Sequence, residues 1–272
     1  MKILVSVDME GISGVVAAAH TERDGHDYEM ARRLMTLEAN AAVEGAFDAG
    51  ATEVVVSDSH GTFLNLLPEL LDSRAQLASG QPKYQSMFST LDPGYAAVVC
   101  VGYHSRAGDP GVHDHTINDA VVADLQINGV PASELMVNAG MAAVHGVPVV
   151  MGAGDDAFTA HAEAVIPGIE TATVKWHLSR TSARMLSPAN ARSLIREKTR
   201  LGVERRGTIQ PLAHSLPVTF RITFRYTVMA EVASWMPGVQ RVDGLSVEYT
   251  SEDYLQAFHC ARGLIVLGGV YA

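Results

Sequence analysis

The sequence predicts an α/β protein: a largely parallel sheet flanked by helices, followed by a smaller C-terminal α+β portion. Three observations carry this expectation. Short apolar runs alternate with stretches of helical spacing along most of the 272 residues, the pattern of a parallel sheet covered by helices. Ionisable residues directly follow several of those runs, where the strands of such a sheet leave the core. Finally, Asn128-Gly129, between Leu125-Gln-Ile127 and Val130, reads as a type I′ hairpin turn, so at least one antiparallel excursion is expected.

The elements follow in order. Ile3 to Val7 is almost wholly apolar, and residues 2–8 are expected to form a buried strand. Residues 28–49 have helical spacing, with Gly50 as the stop signal. Strands are expected at 52–57 and 96–101, then a helix at 133–144, a strand at 147–151, a helix at 156–165 and a strand at 171–174. Ser187-Pro188 opens a further helix reaching about residue 201, and residues 202–217, with Gly207, Pro211 and Pro217, read as a loop. Beyond it, residues 218–224 alternate as a half-buried strand would. Residues 229–235 are helical, 246–250 a strand and 251–263 a helix. A soft boundary near 210 separates residues 1–210, the expected α/β catalytic domain that binds the metal, from 211–272, a C-terminal subdomain or oligomerisation element.

Composition bounds the function. An apolar content of 47% with 18% charged residues is that of an ordinary globular protein. Lys and Arg number 20 against 30 Asp and Glu, a formal charge of −10; nucleic acid and anionic membrane both require a basic face and are not expected partners. No basic-then-apolar leader precedes the first strand, and the longest apolar stretches are of strand length, so a cytoplasmic protein is expected. Cys100 and Cys260 are too few for a disulfide framework and are expected to be buried and inert. Without a CxxC pair, any metal site must be built from oxygen and nitrogen ligands.

Such ligands are where the topology would collect them. Asp8 and Glu10 end the first strand; two apart, they point to the same side. Carboxylates so close raise each other's pKa unless they share a proton or a cation. His60 lies just beyond the second strand, in Val54-Val-Val-Ser-Asp-Ser-His-Gly61, and His104 just beyond the third, in Val98-Val-Cys-Val-Gly-Tyr-His104. Taken singly, each has a plainer explanation: a loop histidine is usually a surface residue, and a strand-terminal aspartate usually a cap or turn former. Together they occupy one topological position, the crevice outside the strands' carboxyl ends. Two carboxylates and two imidazoles suit Zn²⁺, with Mn²⁺ or another divalent ion as the alternative.

At this point the chain resembles the D-aminopeptidase family of zinc peptidases. The matching segments are Ser6-Val-Asp-Met-Glu-Gly-Ile-Ser-Gly14, Ser57-Asp-Ser-His-Gly61, Gly102-Tyr-His-Ser-Arg-Ala107 and Pro110-Gly-Val-His-Asp-His115. They continue with Ser133-Glu-Leu-Met-Val-Asn-Ala139, Ala153-Gly-Asp-Asp156 and Met236-Pro-Gly238, and span essentially the whole chain. The resemblance implies a two-metal site with Asp8, Glu10, His60, His104 and Glu134 as ligands and His115 as the catalytic histidine. On spacing alone, Glu134 reads only as a favourable first-turn acid of its helix. His113, the loop of residues 107–110 and the segment of residues 15–27 depart from the family's pattern and bear on specificity.

The resemblance further implies hydrolysis of the N-terminal residue from short peptides or amino-acid amides, with D-residues there, and a homo-oligomer in the form of a decameric ring. A hydroxide activated by two Zn²⁺ ions about 3.5–4 Å apart would be the nucleophile, Asp8 the bridging carboxylate, and His115 the acid/base or oxyanion-stabilising group. His113 would share a face with His115 if the segment is extended. Asp155-Asp156 is a candidate for the substrate's amino group, though a capping role is expected for at least one of them. Arg106 could bind a substrate carboxylate or form a structural ion pair. Asn138 could orient a ligand or serve the core. Two alternatives stay open: a di-metal phosphoesterase, for which Arg106 is the only basic motif residue to hold phosphate, and a non-enzymatic, ring-forming metal-binding protein.

Overall fold

The computed structural model describes residues 1–272. In chain order the elements are β1 (Lys2–Val7), α1 (Ala18–Thr21), α2 (Tyr28–Asp48), β2 (Glu53–Asp58), β3 (Ala75–Ala78), β4 (Tyr95–Tyr103), β5 (Val122–Ile127) and β6 (Val130–Pro131). There follow α3 (Glu134–Val144), β7 (Val149–Asp155), α4 (Asp156–Val165), β8 (Glu170–Ser179), β9 (Ser182–Met185) and α5 (Pro188–Glu204). The chain ends with β10 (Val218–Phe224), α6 (Thr227–Ala233), β11 (Gln240–Arg241), β12 (Ser246–Ser251) and α7 (Tyr254–Gly268).

The larger sheet has the order β3-β2-β1-β4-β7-β8-β9. All its pairings are parallel except that of β9, which turns back along β8. Ile3, Leu4, Val5 and Val7 of β1 are fully buried, which is why that strand reads as a continuous apolar run rather than an alternating one. The chain runs outward from β1 to β2 and β3, then returns to the other side of β1 as β4. The strand order thus reverses between β1 and β4, and a crevice opens outside their carboxyl ends. Register fixes its floor: Val7 lies level with Asp58 of β2 and Val101 of β4. β1 and β2 therefore end at one level, and β4 runs two residues beyond it to Tyr103. α2 packs against α5 over the sheet.

The smaller sheet is antiparallel, in the order β11-β12-β10-β5-β6. The expected hairpin joins β5 to β6, with Asn128 at φ 52° and Gly129 at φ 79° as a type I′ turn requires. In β10 the inward positions Val218, Phe220, Ile222 and Phe224 are buried and alternate with half-buried ones, as the sequence pattern predicts. Strands from both sides of residue 210 build this sheet. α7 packs on β10, β12 and α3, tying the sheet to the helix that begins with Glu134.

Several expected boundaries differ. The helix expected to stop near 201 continues to Glu204. Gly202 lies inside it as a contact point, since a Cβ there would strike the Val150 carbonyl of β7. β7 and β8 outrun their apolar cores, β7 continuing through the small residues Gly152, Ala153 and Gly154. α7 starts at Tyr254, capped by Asp253 accepting from the Gln256 amide, and extends past residue 263. The short α1, β3, β9 and β11 had no sequence signal. Cys100 is buried as expected, but Cys260 is only partly so. No helix is long and apolar enough to cross a membrane.

Candidate metal centre

Three strand ends and one helix start deliver the site. Asp8 and Glu10 follow β1, His60 follows β2, His104 follows β4, and Glu134 is the first residue of α3, whose N-cap Ser133 accepts from the Met136 amide. The β1 and β4 loops interlock. The Gly11 amide donates to the Gly102 carbonyl at 2.7 Å, and a Cβ on Gly11 would collide with the Gly102–Tyr103 backbone. Gly102 itself sits at φ 73° with the Asp8 carbonyl against it, a conformation and a proximity that only glycine tolerates. The loop bearing His60 is shaped by Asp58, which accepts from the amides of Asn65 (2.6 Å) and Leu66 (2.7 Å). Asn65 in turn donates to the His60 carbonyl at 2.6 Å.

The side chains converge around Asp8. Its Oδ1 lies 3.4 Å from His60 Nδ1, and its Oδ2 lies 3.5 Å from His104 Nε2. Glu10 Oε2 is 3.0 Å from His60 Nδ1, and Glu134 Oε1 is 3.5 Å from His104 Nε2. One carboxylate oxygen of Asp8 thus faces each half of the cluster. His115 joins on the Glu134 side: Nε2 is 3.7 Å from Glu134 Oε1, and its ring stacks on His104 with centroids 4.1 Å apart. His104, His115 and Glu134 form one group with metal-ligand spacing, and Asp8, Glu10 and His104 another.

The ring orientations are held from behind. His60 Nε2 faces the Thr21 carbonyl at 2.9 Å, His104 Nδ1 the Ser105 carbonyl at 2.8 Å, and His115 Nδ1 the His113 carbonyl at 2.8 Å. A carbonyl only accepts, so in each ring that nitrogen carries the hydrogen and the other is turned toward the carboxylates. His104 Nε2 is buried and makes no hydrogen bond, although two carboxylate oxygens lie 3.5 Å away. That spacing is too long for a hydrogen bond. It fits two ligands of one tetrahedral zinc, which at about 2.1 Å each lie about 3.4 Å apart. The donor set, all carboxylate and imidazole, is one that zinc accepts.

Charge favours the same occupant. Burial would raise the Glu10 carboxyl, but the His60, His115 and His104 charges hold it well below its ordinary range. Glu134 is likewise opposed by burial, yet His104, His115 and the Ile117 amide bring it down to about 2. Asp8, between them, is pushed up by burial and by Glu10. Burial would lower His60 and His104, but the facing carboxylates raise both well above the ordinary histidine value. Without an ion, the three carboxylates therefore hold protons on the imidazoles, the behaviour of a site whose negative charge a cation would offset.

The cluster floors a cleft of about 390 Å³ whose walls include Phe63, Met87, Ile117, Asn138, Phe258 and Arg262. The other candidates are placed differently. The φ of 54° at His113 breaks the extended course expected to align it with His115, yet both rings line a neighbouring crevice with Glu10 and His60, and burial lowers the His113 ring to about 4. Asp155 caps α4 through the Phe158 amide and accepts from Val112, while Asp156 binds His177 at 2.8 Å; neither lines the cleft. Arg106 pairs with Asp109 at 2.6 Å and faces Asp124 at 3.9 Å, beside a separate cavity. The loop of residues 107–110 flanks that cavity, whereas Thr21, from the atypical segment 15–27, supports His60. Asn138 donates to the Glu134 carbonyl at 2.7 Å and leaves its own Oδ1 buried without a partner.

Comparison with known proteins agrees with this geometry. The model of the D-aminopeptidase family matches residues 1–262. A D-aminopeptidase of Bacillus subtilis (strain 168) is 39% identical over 259 residues, covering 95% of this chain and 94% of the relative. The solved structure of the Zn-dependent D-aminopeptidase DppA from Bacillus subtilis, described as a self-compartmentalizing protease, superposes with a TM-score of 0.96 at 38% identity, over 99% of this chain and 98% of that one.

Proposed function

The chain belongs to the D-aminopeptidase family, and on that premise we propose that it is a zinc-dependent aminopeptidase releasing the N-terminal, D-configured residue of short peptides or amino-acid amides. Asp8, Glu10, His60, His104 and Glu134 would hold two ions, with Asp8 shared between them, and His115 would act at the reacting atoms. One observation carries this: the orphaned His104 Nε2 faces Asp8 and Glu134 at ligand spacing, while Asp8 turns its other oxygen to His60 and Glu10.

Zinc bound there supplies a Lewis acid for the peptide carbonyl and brings the pKa of water down to about 7. The chain's own residues do the rest. The backbone carbonyls behind His60 and His104 keep those imidazoles in the ligand tautomer. Hydrolysis adds water across the C–N bond, and the departing amine needs a proton. With Nδ1 tied to the His113 carbonyl, His115 Nε2 is the position that can take a proton from water and return it to that nitrogen. Phe63, Met87 and Phe258 give the cleft apolar wall.

Assembly and location belong to the same proposal. Tyr226, Trp235, Met236, Val266, Val270 and Tyr271 of residues 211–272 are exposed, apolar side chains of the kind that a homo-oligomer, a decameric ring, would cover. The two free cysteines suit the reducing cytoplasm. The test is a hydrolysis screen of paired D- and L-aminoacyl amides and dipeptides with zinc content measured in parallel. D-substrates should be cleaved faster, chelation should stop cleavage and zinc restore it. A zinc-replete preparation that cleaves none of them would point instead to a non-enzymatic metal-binding protein.

A further inference from the structure

Arg262 is the only arginine or lysine lining the cleft; the other charged walls are Asp8, Glu10, Asp119 and Glu134, with the imidazoles of His60 and His115. It sits on α7 four residues beyond Phe258, so the two side chains leave the same face of the helix, and both reach the cleft. Its guanidinium forms no hydrogen bond and no ion pair with any side chain or carbonyl of the chain. Arg106, Arg180, Arg196 and Arg225, by contrast, are each engaged with a carboxylate. Burial disfavours its charge, and Glu134 is the group that opposes this. Arg262 is only partly buried, so its unpaired guanidinium is open to an anion that enters the cleft.

We propose that Arg262 binds the C-terminal carboxylate of the substrate, so that the preferred substrates are short peptides ending in a free carboxylate rather than amides or longer chains. This rests on the aminopeptidase reading of the same site. Guanidinium presents paired N–H donors in a planar fork that matches a carboxylate's two oxygens. A short peptide ends in a carboxylate, and the single cation of the cleft, on α7, is the wall group able to receive it. A cleft of about 390 Å³ lies at the small end of ligand sites, so both ends of a short peptide fall within reach of its walls. The C-terminal helix thereby takes part in substrate choice in addition to packing the smaller sheet.

The experiment compares D-alanyl-glycine with its C-terminal amide. Zinc-loaded wild type should favour the free acid by at least about 10-fold in kcat/KM, chiefly through KM. In Arg262→Met, kcat/KM for the acid should fall by roughly 10- to 100-fold, the worth of a charge-assisted contact, and the acid-to-amide ratio should collapse toward one. Arg262→Lys should restore part of the ratio, as a point charge without the fork. Equal cleavage of acid and amide by wild type would overturn the proposal, as would an equal loss on both in Arg262→Met with zinc content and melting temperature intact. Calorimetric binding of the same two peptides is measured on zinc-loaded His115→Ala, with and without Arg262→Met. If neither peptide is hydrolysed by wild type, the aminopeptidase reading fails, and the acid's binding advantage, present or absent, still decides the role of Arg262.

Discussion

His115 differs from its neighbours in what its ring is free to do. The Nδ1–H is committed to the His113 carbonyl and the ring face to His104, leaving Nε2 alone to exchange protons. His115→Ala should therefore lower kcat by about 10²- to 10⁴-fold, the usual worth of a positioned acid/base, while zinc content by mass spectrometry stays at the wild-type value; turnover within a few-fold of wild type would remove His115 from the chemistry. Asp8→Ala should do the opposite, losing metal first, since one oxygen faces each half of the cluster. Asp8, Glu10, His60 and His104 are legible in the sequence because all follow strands, a position shared regardless of their distance along the chain. Glu134 is not, since an acid in the first turn of a helix needs no further explanation. Arg262 is less legible still: on an amphipathic helix, a basic residue reads as part of a solvated face.

At the scale of elements, the loop between β1 and α1 is held by buried polar side chains from two sides. Lys175 of β8 is fully buried and donates to the carbonyls of Val15 at 2.6 Å, Ile12 at 3.2 Å and Glu10. Burial lowers its ammonium to about 8, opposed by Asp155, Glu38 and Glu10, so it remains charged at neutral pH. From α2, Glu38, whose carboxyl burial pushes up to about 8, accepts the Ser13 amide at 3.0 Å. Lys175→Met keeps the volume but leaves three carbonyls without a donor, and should destabilise the fold by about 3 kcal/mol or more. It should also weaken zinc binding by releasing the Glu10 backbone; a denaturation midpoint and zinc affinity both equal to wild type would show the contact to be idle. A lysine inside the apolar strand β8 is visible in the sequence, but not the loop it reaches, because that contact spans more than 150 residues. Gly202 is hidden for a related reason: the β7 carbonyl that it makes room for lies some fifty residues earlier in the chain.

For the whole molecule, the parallel sheet could be read from the alternation of apolar and helical segments, whereas the smaller sheet could not, since it joins β5 and β6 to strands found nearly a hundred residues later. Asp8, Glu10, His60 and His104 follow strands of the larger sheet, whereas Glu134 follows β6 of the smaller one, which also carries the helix that closes the cleft, so metal and fold are coupled across both. That coupling has a sign with pH. In the ion-free protein His60 and His104 have folded pKa values above the unfolded value of about 6.5. Their stabilising contribution is complete below that pH and is lost as pH rises through the raised folded values. In the zinc-loaded protein the same rings must be deprotonated while the unfolded chain still binds protons, so stability increases as pH rises through about 6.5. The gap in melting temperature between loaded and chelated protein should therefore widen from pH 6 to pH 8. Calorimetric titration of zinc at pH 7 in two buffers of different ionisation enthalpy should show proton release alongside binding. A melting gap independent of pH, with no protons released, would mean that zinc binds without displacing protons from His60 and His104, and that the ligand set must be sought among other groups.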